Sequence, residues 1–257
     1  MRGYIPPATD EERLFCRRVE DVLLCVRQRG VLRVLPFCSD REQDLAAAVL
    51  SKMRCDSYLF YGGYEPAERK MLAFAQETPD KACFPITALL MMPAQGSPEL
   101  THRDYLGALM ALRIGREYLG DLVPAKEGMV LLAHERAAAL VLEELREVGR
   151  ARVRVCTADE ALLAALSAAP EPSQLTATIS SLRLDAMLAA MLKISRADAA
   201  ALIRAKTVAV NHIETTNIHC EVCEGDGFTV RGRGKYKLCT IGGQSKKDRT
   251  FVSYIQY

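Results

Sequence analysis

Residues 182–211 read LRLDAMLAAMLKISRADAAALIRAKTVAVN, and this stretch decides the fold of the C-terminal third. Leu184, Met187, Leu188, Met191 and Leu192 recur at helical spacing, so they line one face of a helix and supply a small core. Ser195 breaks that run. Its hydroxyl suits the N-cap of a second helix, with Asp198 three residues on, where a capping box wants an acid. In the second helix Ala199, Leu202 and Ile203 face inward, while Arg196, Ala200 and Arg204 fall within an arc of roughly 80° on the other side. Lys193 and Lys206 bracket this helix, and the chain then turns into a short strand with Val208 and Val210 on one face. Asn211 and His212 form a turn signal. Most polar residues of the two helices are cations, which a helix needing only a core partner would not require.

The same sign recurs downstream. In EGDGFTVRGRGKYKL, residues 224–238, the cations Arg231, Arg233, Lys235 and Lys237 stand at every second position. An extended chain would place them on one face, and the interspersed glycines would let a phosphate backbone approach closely. From residue 183 to the end there are 12 Lys+Arg against 7 Asp+Glu, whereas residues 1–182 hold 22 against 25. Positive charge is therefore concentrated in the last third, the pattern of an anion-binding module attached to a neutral or acidic body.

The ordering R-L-D, S-R, L-I, V-x-V-N, E-G-D and V-R-G closely resembles the small RNA-binding module named after ribosomal protein S4. On that resemblance Arg183, Ser195, Arg196, Arg204, Asn211 and Arg231 fall at RNA-facing or loop-shaping positions. Lys193, Lys206, Arg233, Lys235 and Lys237 complete the expected RNA-binding set. Lys206 departs from the module, which usually has glycine there, so the lysine must take a left-handed conformation or the turn must differ. Upstream, FYGGYEPAERKMLAF, LTHRDYLGALMALRIGREYLGDL and the terminal SKKDRTFVSYIQY resemble the YlmH family of bacterial RNA-binding proteins. That resemblance implies a non-enzymatic, ribosome-associated factor in the cytoplasm. Its implied partners are structured RNA of the large subunit and tRNA, when stalled nascent chains are handled; DNA and membranes are not expected. Where the family more often reads L-G-I-K-R-E this chain has LRIGRE, so the bend is expected to move from Arg113 to Gly115.

The chain of 257 residues is long enough for several small cores, and 49% hydrophobic with 26% charged residues is a globular composition. Nine scattered cysteines, an odd number, point to reduced thiols rather than a disulfide framework. No apolar run reaches the ~18–20 residues that span a bilayer, and the N-terminus lacks the apolar core of a signal peptide.

The fold class expected is α+β. An N-terminal helical segment (1–55) carries one helix with Leu14, Val19, Val22, Leu23 and Val26 at helical spacing, and a second opening at Asp40 as N-cap. A central α/β sandwich (56–166), RRM-like or ferredoxin-like with a split β-α-β order, includes strands in DSYLFYGGY, FPITALLMMP, GDLV, GMVLLA and ARVRVC. Helices are expected over PAERKMLAFAQE, THRDYLGALMALRIGREY and ERAAALVLEELREVG. A proline-containing linker (167–181) leads to the S4-like module (182–257).

Three other constellations bear on chemistry. His102, Arg103 and Asp104 could act as base, clamp and orienter, but Thr101 with Asp104 also reads as a capping box. Tyr64, Arg69, His102, Arg103 and Arg116 form a second set of expected RNA contacts, with Tyr64 and Arg69 presented by a Gly62–Gly63 turn. His219, Cys220 and Cys223, with His212 and Cys239, lack the second paired knuckle of a zinc site, so neither metal nor other cofactor is expected. The competing function is an RNA-modifying enzyme, pseudouridine synthase-like or methyltransferase-like, using the module to hold substrate. Its catalytic motifs are missing: Arg183-Leu184-Asp185 continues as AMLAAM, and no methyltransferase glycine loop is present.

Overall fold

The computed structural model describes residues 6–168, 174–211, 213–244 and 249–256. It forms two compact units, Ile5–Ala169 and a smaller one from Pro170 to Tyr257.

The larger unit begins with α1 (Asp10–Arg29), capped by the Thr9 hydroxyl and closed by Gly30 in the left-handed region. Val19, Leu23 and Val26 are buried as the spacing predicts, but Leu14 is 68% exposed. Strand β1 (Arg33–Cys38) follows, then α2 (Asp40–Lys52). The N-cap of α2 is Ser39, one residue earlier than expected, in a full capping box with Glu42. Next come β2 (Tyr58–Tyr61) and β3 (Lys70–Phe74), which make an antiparallel sheet of order β1-β3-β2.

The N-terminal segment is thus not helical alone, and the helix expected over residues 66–77 is a strand. The reason is burial on both faces. Leu72 and Phe74 join the core beneath α1 and α2, with Val19, Leu23 and Leu50. Met71 and Ala73 point the other way, against Phe37 and Phe84. A central strand covered on both sides reads as a continuous apolar run, which periodicity cannot separate from a buried helix. Cys55, Tyr58 and Phe60 share the first of these cores with α1.

The second layer system runs β4 (Ile86–Pro93), α3 (His102–Ala111), β5 (Leu119–Ala125), β6 (Gly128–His134) and α4 (Glu135–Glu144). Then follow β7 (Glu147–Val148), β8 (Ala151–Thr157) and α5 (Glu160–Ser167). Among the described residues the strands form one antiparallel sheet of order β5-β6-β4-β8-β7. Leaving aside the two-residue β7, the β-α-β-β-α-β order and this strand order give the expected split β-α-β sandwich. One face packs Leu89, Met91 and Leu131 against Tyr105 and Leu109 of α3 and Ala138 and Val141 of α4. The other carries Ala88, Leu90, Val130 and Leu132 and is partly roofed by Leu162, Leu163 and Leu166 of α5.

The smaller unit contains β9 (Leu175–Ile179), α6 (Leu184–Leu192), α7 (Arg196–Arg204), β10 (Val208–Val210) and β11 (Ile213–Glu214). It ends with β12 (Gly227–Val230), β13 (Gly234–Gln244) and β14 (Thr250–Gln256). These strands form an antiparallel sheet of order β11-β10-β12-β13-β14-β9. Part of the expected linker is therefore strand β9, paired with β14; residues 169–173 lie outside the described set. Leu184, Met187, Leu188 and Met191 pack on Phe228, Val230, Leu238 and Tyr254, as the helical stripe predicts. Ala200, expected on the outer side of α7, is buried.

The nine cysteines are free thiols. Burial pushes the Cys38 thiol up to about 12, whereas Cys223 is exposed. Because the thiolate is the nucleophile, iodoacetamide at pH 8 should alkylate Cys223 at least ~100-fold faster than Cys38 in the native chain. Peptide mass mapping over time checks this, and equal rates would show that β1 opens readily.

Candidate nucleic-acid interface

The R-L-D motif is a clamp built around one buried carboxylate. Arg183 precedes α6 in extended conformation and is held by a bridge to Glu221, while the Leu184 N–H donates to the Cys220 carbonyl at 2.9 Å. Asp185, with its side chain 7% exposed, accepts from Arg183 Nε and Nη2 at 3.2 and 3.1 Å and from Arg196 Nη2 at 2.7 Å. Burial works to raise the Asp185 pKa, but the hydrogen bonds from Arg196 and then Arg183 outweigh it and hold the carboxyl below its ordinary value. Two guanidiniums on one carboxylate leave a net positive charge. Both also keep an exposed side, at 37% and 47%. Arg196 is therefore not the free cation its helical position suggests; it is aimed by Asp185 and reaches Ser180 Oγ at 3.5 Å.

Ser195 caps α7 as expected, accepting from the Asp198 N–H at 3.1 Å. At the far end of α7, Arg204 is exposed with no ion-pair partner among the described residues. Lys193 and Lys206 end the two helices with φ of 54° and 56°, so the lysine takes the left-handed conformation where glycine was expected. The Arg231 N–H donates to the Thr207 carbonyl at 2.9 Å, which brings the β12–β13 turn beside Lys206. Arg204, Lys206, Arg231 and Arg233 thus gather from two separate stretches of sequence at one edge of the unit. Arg231 also meets Glu214 at 3.7 Å, but both side chains are well exposed and the pair is weak.

Two expectations need correction here. The four alternating cations do not share a strand face: Arg231 and Arg233 lie in the turn, and only Lys235 and Lys237 stand on β13, alternating with buried Tyr236 and Leu238. Glycine at 232, with φ of 77°, turns the chain and breaks the alternation. Asn211 faces inward. It is 8% exposed, at φ 53°, and its side chain donates to Asp226 at 3.3 Å and accepts from the Gly227 N–H at 3.0 Å. Its work is loop shaping.

In the larger unit, three of the five expected secondary contacts have internal duties. Asp121 accepts from the Tyr64 hydroxyl at 3.0 Å and from the backbone N–H groups of Glu68 and Arg69 at 2.7 and 3.0 Å. The Arg69 guanidinium donates to the carbonyls of Leu119, Phe37 and Arg116, joining the two sheets. Arg116 donates to the Leu119 and Gly120 carbonyls, and burial followed by repulsion from Arg69 lowers its pKa. His102 and Arg103 are exposed on the first turn of α3. Asp104 beside them closes a capping box: it accepts from the Thr101 N–H and hydroxyl at 2.8 and 2.6 Å, which holds its pKa down. It does not orient His102. Arg113, not Gly115, keeps the bend, with φ of 58° against −60° at Gly115. Among the described residues no group of three or more His, Cys, Asp or Glu could hold a metal; His212 lies outside them. No described helix is long and apolar enough to cross a membrane.

One cationic row lies outside the residues expected from the sequence. Arg150, Arg152 and Arg154 alternate through RARVRV, and Arg152 and Arg154 are exposed on β8 between buried Ala151 and Val153. This is the row of cations on a strand that residues 231–237 only seemed to offer.

Residues 79–161 match the model of a putative RNA-binding domain in YlmH. The chain is 30% identical over 247 residues to the ribosome-associated protein quality control protein P2 of Bacillus subtilis (strain 168), covering 95% of each. Among solved structures it resembles the cell division protein ylmH from Streptococcus pneumoniae, with a TM-score of 0.49 and 18% identity over 61% of this chain and 96% of that one. With a near full-length relative at this identity, the chain belongs to the YlmH family.

Proposed function

We propose that the protein binds structured RNA on the large ribosomal subunit, in the cytoplasm, and acts without catalysis in the handling of stalled nascent chains. The observation that carries this reading is a pair of cationic groups on the smaller unit: the edge that gathers Arg204, Lys206, Arg231 and Arg233, and, at the opposite end of α7, the Asp185-aimed pair Arg183 and Arg196. Such a set suits a phosphate backbone, because guanidiniums grip phosphate oxygens in bidentate fashion. The name of the Bacillus subtilis relative supports the ribosomal setting. The smaller unit is read as the S4-like module, with Lys193, Lys235 and Lys237 as flanking contacts and tRNA as a further partner. A modification enzyme is disfavoured by the α3 site, where the one candidate orienting carboxylate, Asp104, is held by a helix cap.

The test is binding of the full chain to ribosomal RNA across a salt series. Arg204→Gln should flatten the log-log slope by about 0.7–0.9 for one lost phosphate contact, with an unchanged melting temperature. It should weaken binding evenly across sequences, since phosphate contacts carry no base information. Arg196→Gln should flatten the slope and also lower the melting temperature, because it strips a partner from Asp185. Binding that is insensitive to salt would overturn the reading.

A further inference from the structure

We infer that the larger unit carries a second RNA surface of its own, on the part of the β5-β6-β4-β8-β7 sheet that α5 leaves uncovered. The inference rests on the RNA-binding reading and extends it to a face that no charge count singled out. A cleft of about 430 Å³ opens at this end of the sheet, lined by Met92, Pro93, Ala94, Arg152, Val153 and Arg154. Met92 and Arg154 are in register across β4 and β8, and the Arg154 guanidinium lies 3.8 Å from the Met92 sulfur. The Ala94 N–H closes the end of the pair on the Arg152 carbonyl at 2.9 Å. The cleft therefore has a half-buried apolar floor and two exposed guanidiniums on its wall.

Residues two apart on a strand are separated by about 6.8 Å, comparable to successive phosphates along a nucleic-acid strand. Arg152 and Arg154 can thus take neighbouring phosphates of one chain, while a base lies on Met92, which shares their face, or stacks on a guanidinium plane. An unpaired RNA segment is the occupant that uses both features. A duplex would present its phosphates but keep its bases from the floor. A sheet that reads RNA in this topology commonly does so with exposed aromatics. Here the two central strands carry Ala88, Leu90, Met92, Val130 and Leu132 on that face, so the arginines of β8 must supply the grip. Glu147 stands in register with Arg152, and no ion pair joins them among the described residues. The residues that match the putative RNA-binding domain model, 79–161, include every residue of this surface.

The experiment measures binding of the full chain to a fluorescent twelve-nucleotide oligouridylate and to ribosomal RNA at several salt concentrations. Arg152→Gln with Arg154→Gln should flatten the log-log slope for the oligonucleotide by about 1.4 and weaken binding roughly tenfold or more, with an unchanged melt. Arg152→Lys with Arg154→Lys should restore the slope. Arg204→Gln serves as the reference for the other unit. If Arg204→Gln flattens the slope for ribosomal RNA while the β8 double variant changes neither RNA, the sheet surface is refuted and the proposed function stands. If neither variant matters and binding has no salt dependence, the proposed function itself falls. Loss of an acidic protein partner by the double variant, with both RNA slopes intact, would also refute the RNA assignment.

Discussion

Asp185→Ala is expected to destabilise the smaller unit by roughly 2–4 kcal/mol, between the value of a charge-assisted hydrogen bond and that of a broken buried ion pair. The full buried-pair figure does not apply, because the guanidiniums of Arg183 and Arg196 are 37% and 47% exposed and can rehydrate. RNA binding should fall further than stability alone explains, since both arginines lose their aim. The sign with pH follows from the lowered pKa of Asp185. A carboxylate depressed in the fold contributes fully above its unfolded value of about 3.9, and the contribution disappears as pH falls through the lower folded value. Thermal melts at pH 7 and near pH 3 check this. The wild type and the variant should differ strongly at pH 7 and approach each other in acid. A melt difference of the same size at both values would show that lost packing, not the ion pair, is responsible.

A comparable loss is expected in the larger unit from Gly128→Ala. Gly128 has φ of +155°, and a Cβ there would lie 2.1 Å from the Met91 carbonyl oxygen and 3.1 Å from Pro93 Cδ. Backbone strain of about 1–3 kcal/mol and overpacking of about 1–3 kcal/mol give roughly 2–6 kcal/mol together. The obstruction is main chain of β4, so no side-chain rotation relieves it, and the floor of the β8 cleft must shift with it. Gly96→Ala is the matched comparison: φ is +79° but nothing lies within 4 Å, so only about 1–2 kcal/mol of left-handed strain is expected. Urea unfolding of both variants measures the contrast, and equal losses would mean that the β5–β6 turn yields easily.

Elements whose signal is local are legible in the sequence. The two-helix stretch is legible because Leu184, Met187, Leu188 and Met191 recur at helical spacing among alanines, and because Ser195 and Asp198 cap within three residues. Strand β3 is not legible for a physical reason: Met71 to Phe74 is buried on both faces, so no polar positions mark its period. The cations of residues 231–237 misled because the glycine between them turns the chain. The same spacing at Arg152 and Arg154, with no glycine between, lies on a real strand. Tyr64, Arg69 and Arg116 were legible only as exposed polar side chains near turns. Their partners, Asp121 and the carbonyls of Phe37 and Leu119, are brought to them by tertiary packing and leave no local trace.

Lys193 and Lys206 hold left-handed backbone at the ends of α6 and α7, and Arg113 does so after α3. Glycine would occupy each position at lower conformational cost, by about 1 kcal/mol. The chain therefore resists its own easiest route to greater heat resistance. A laboratory population selected only for survival at high temperature would drift toward glycine at these three sites. It would shed one positive charge at each step and move away from any polyanion these cations serve. Selection for both traits at once would keep the lysines and seek stability elsewhere, so retention of these residues under heat is itself a readout of what the helix ends are for.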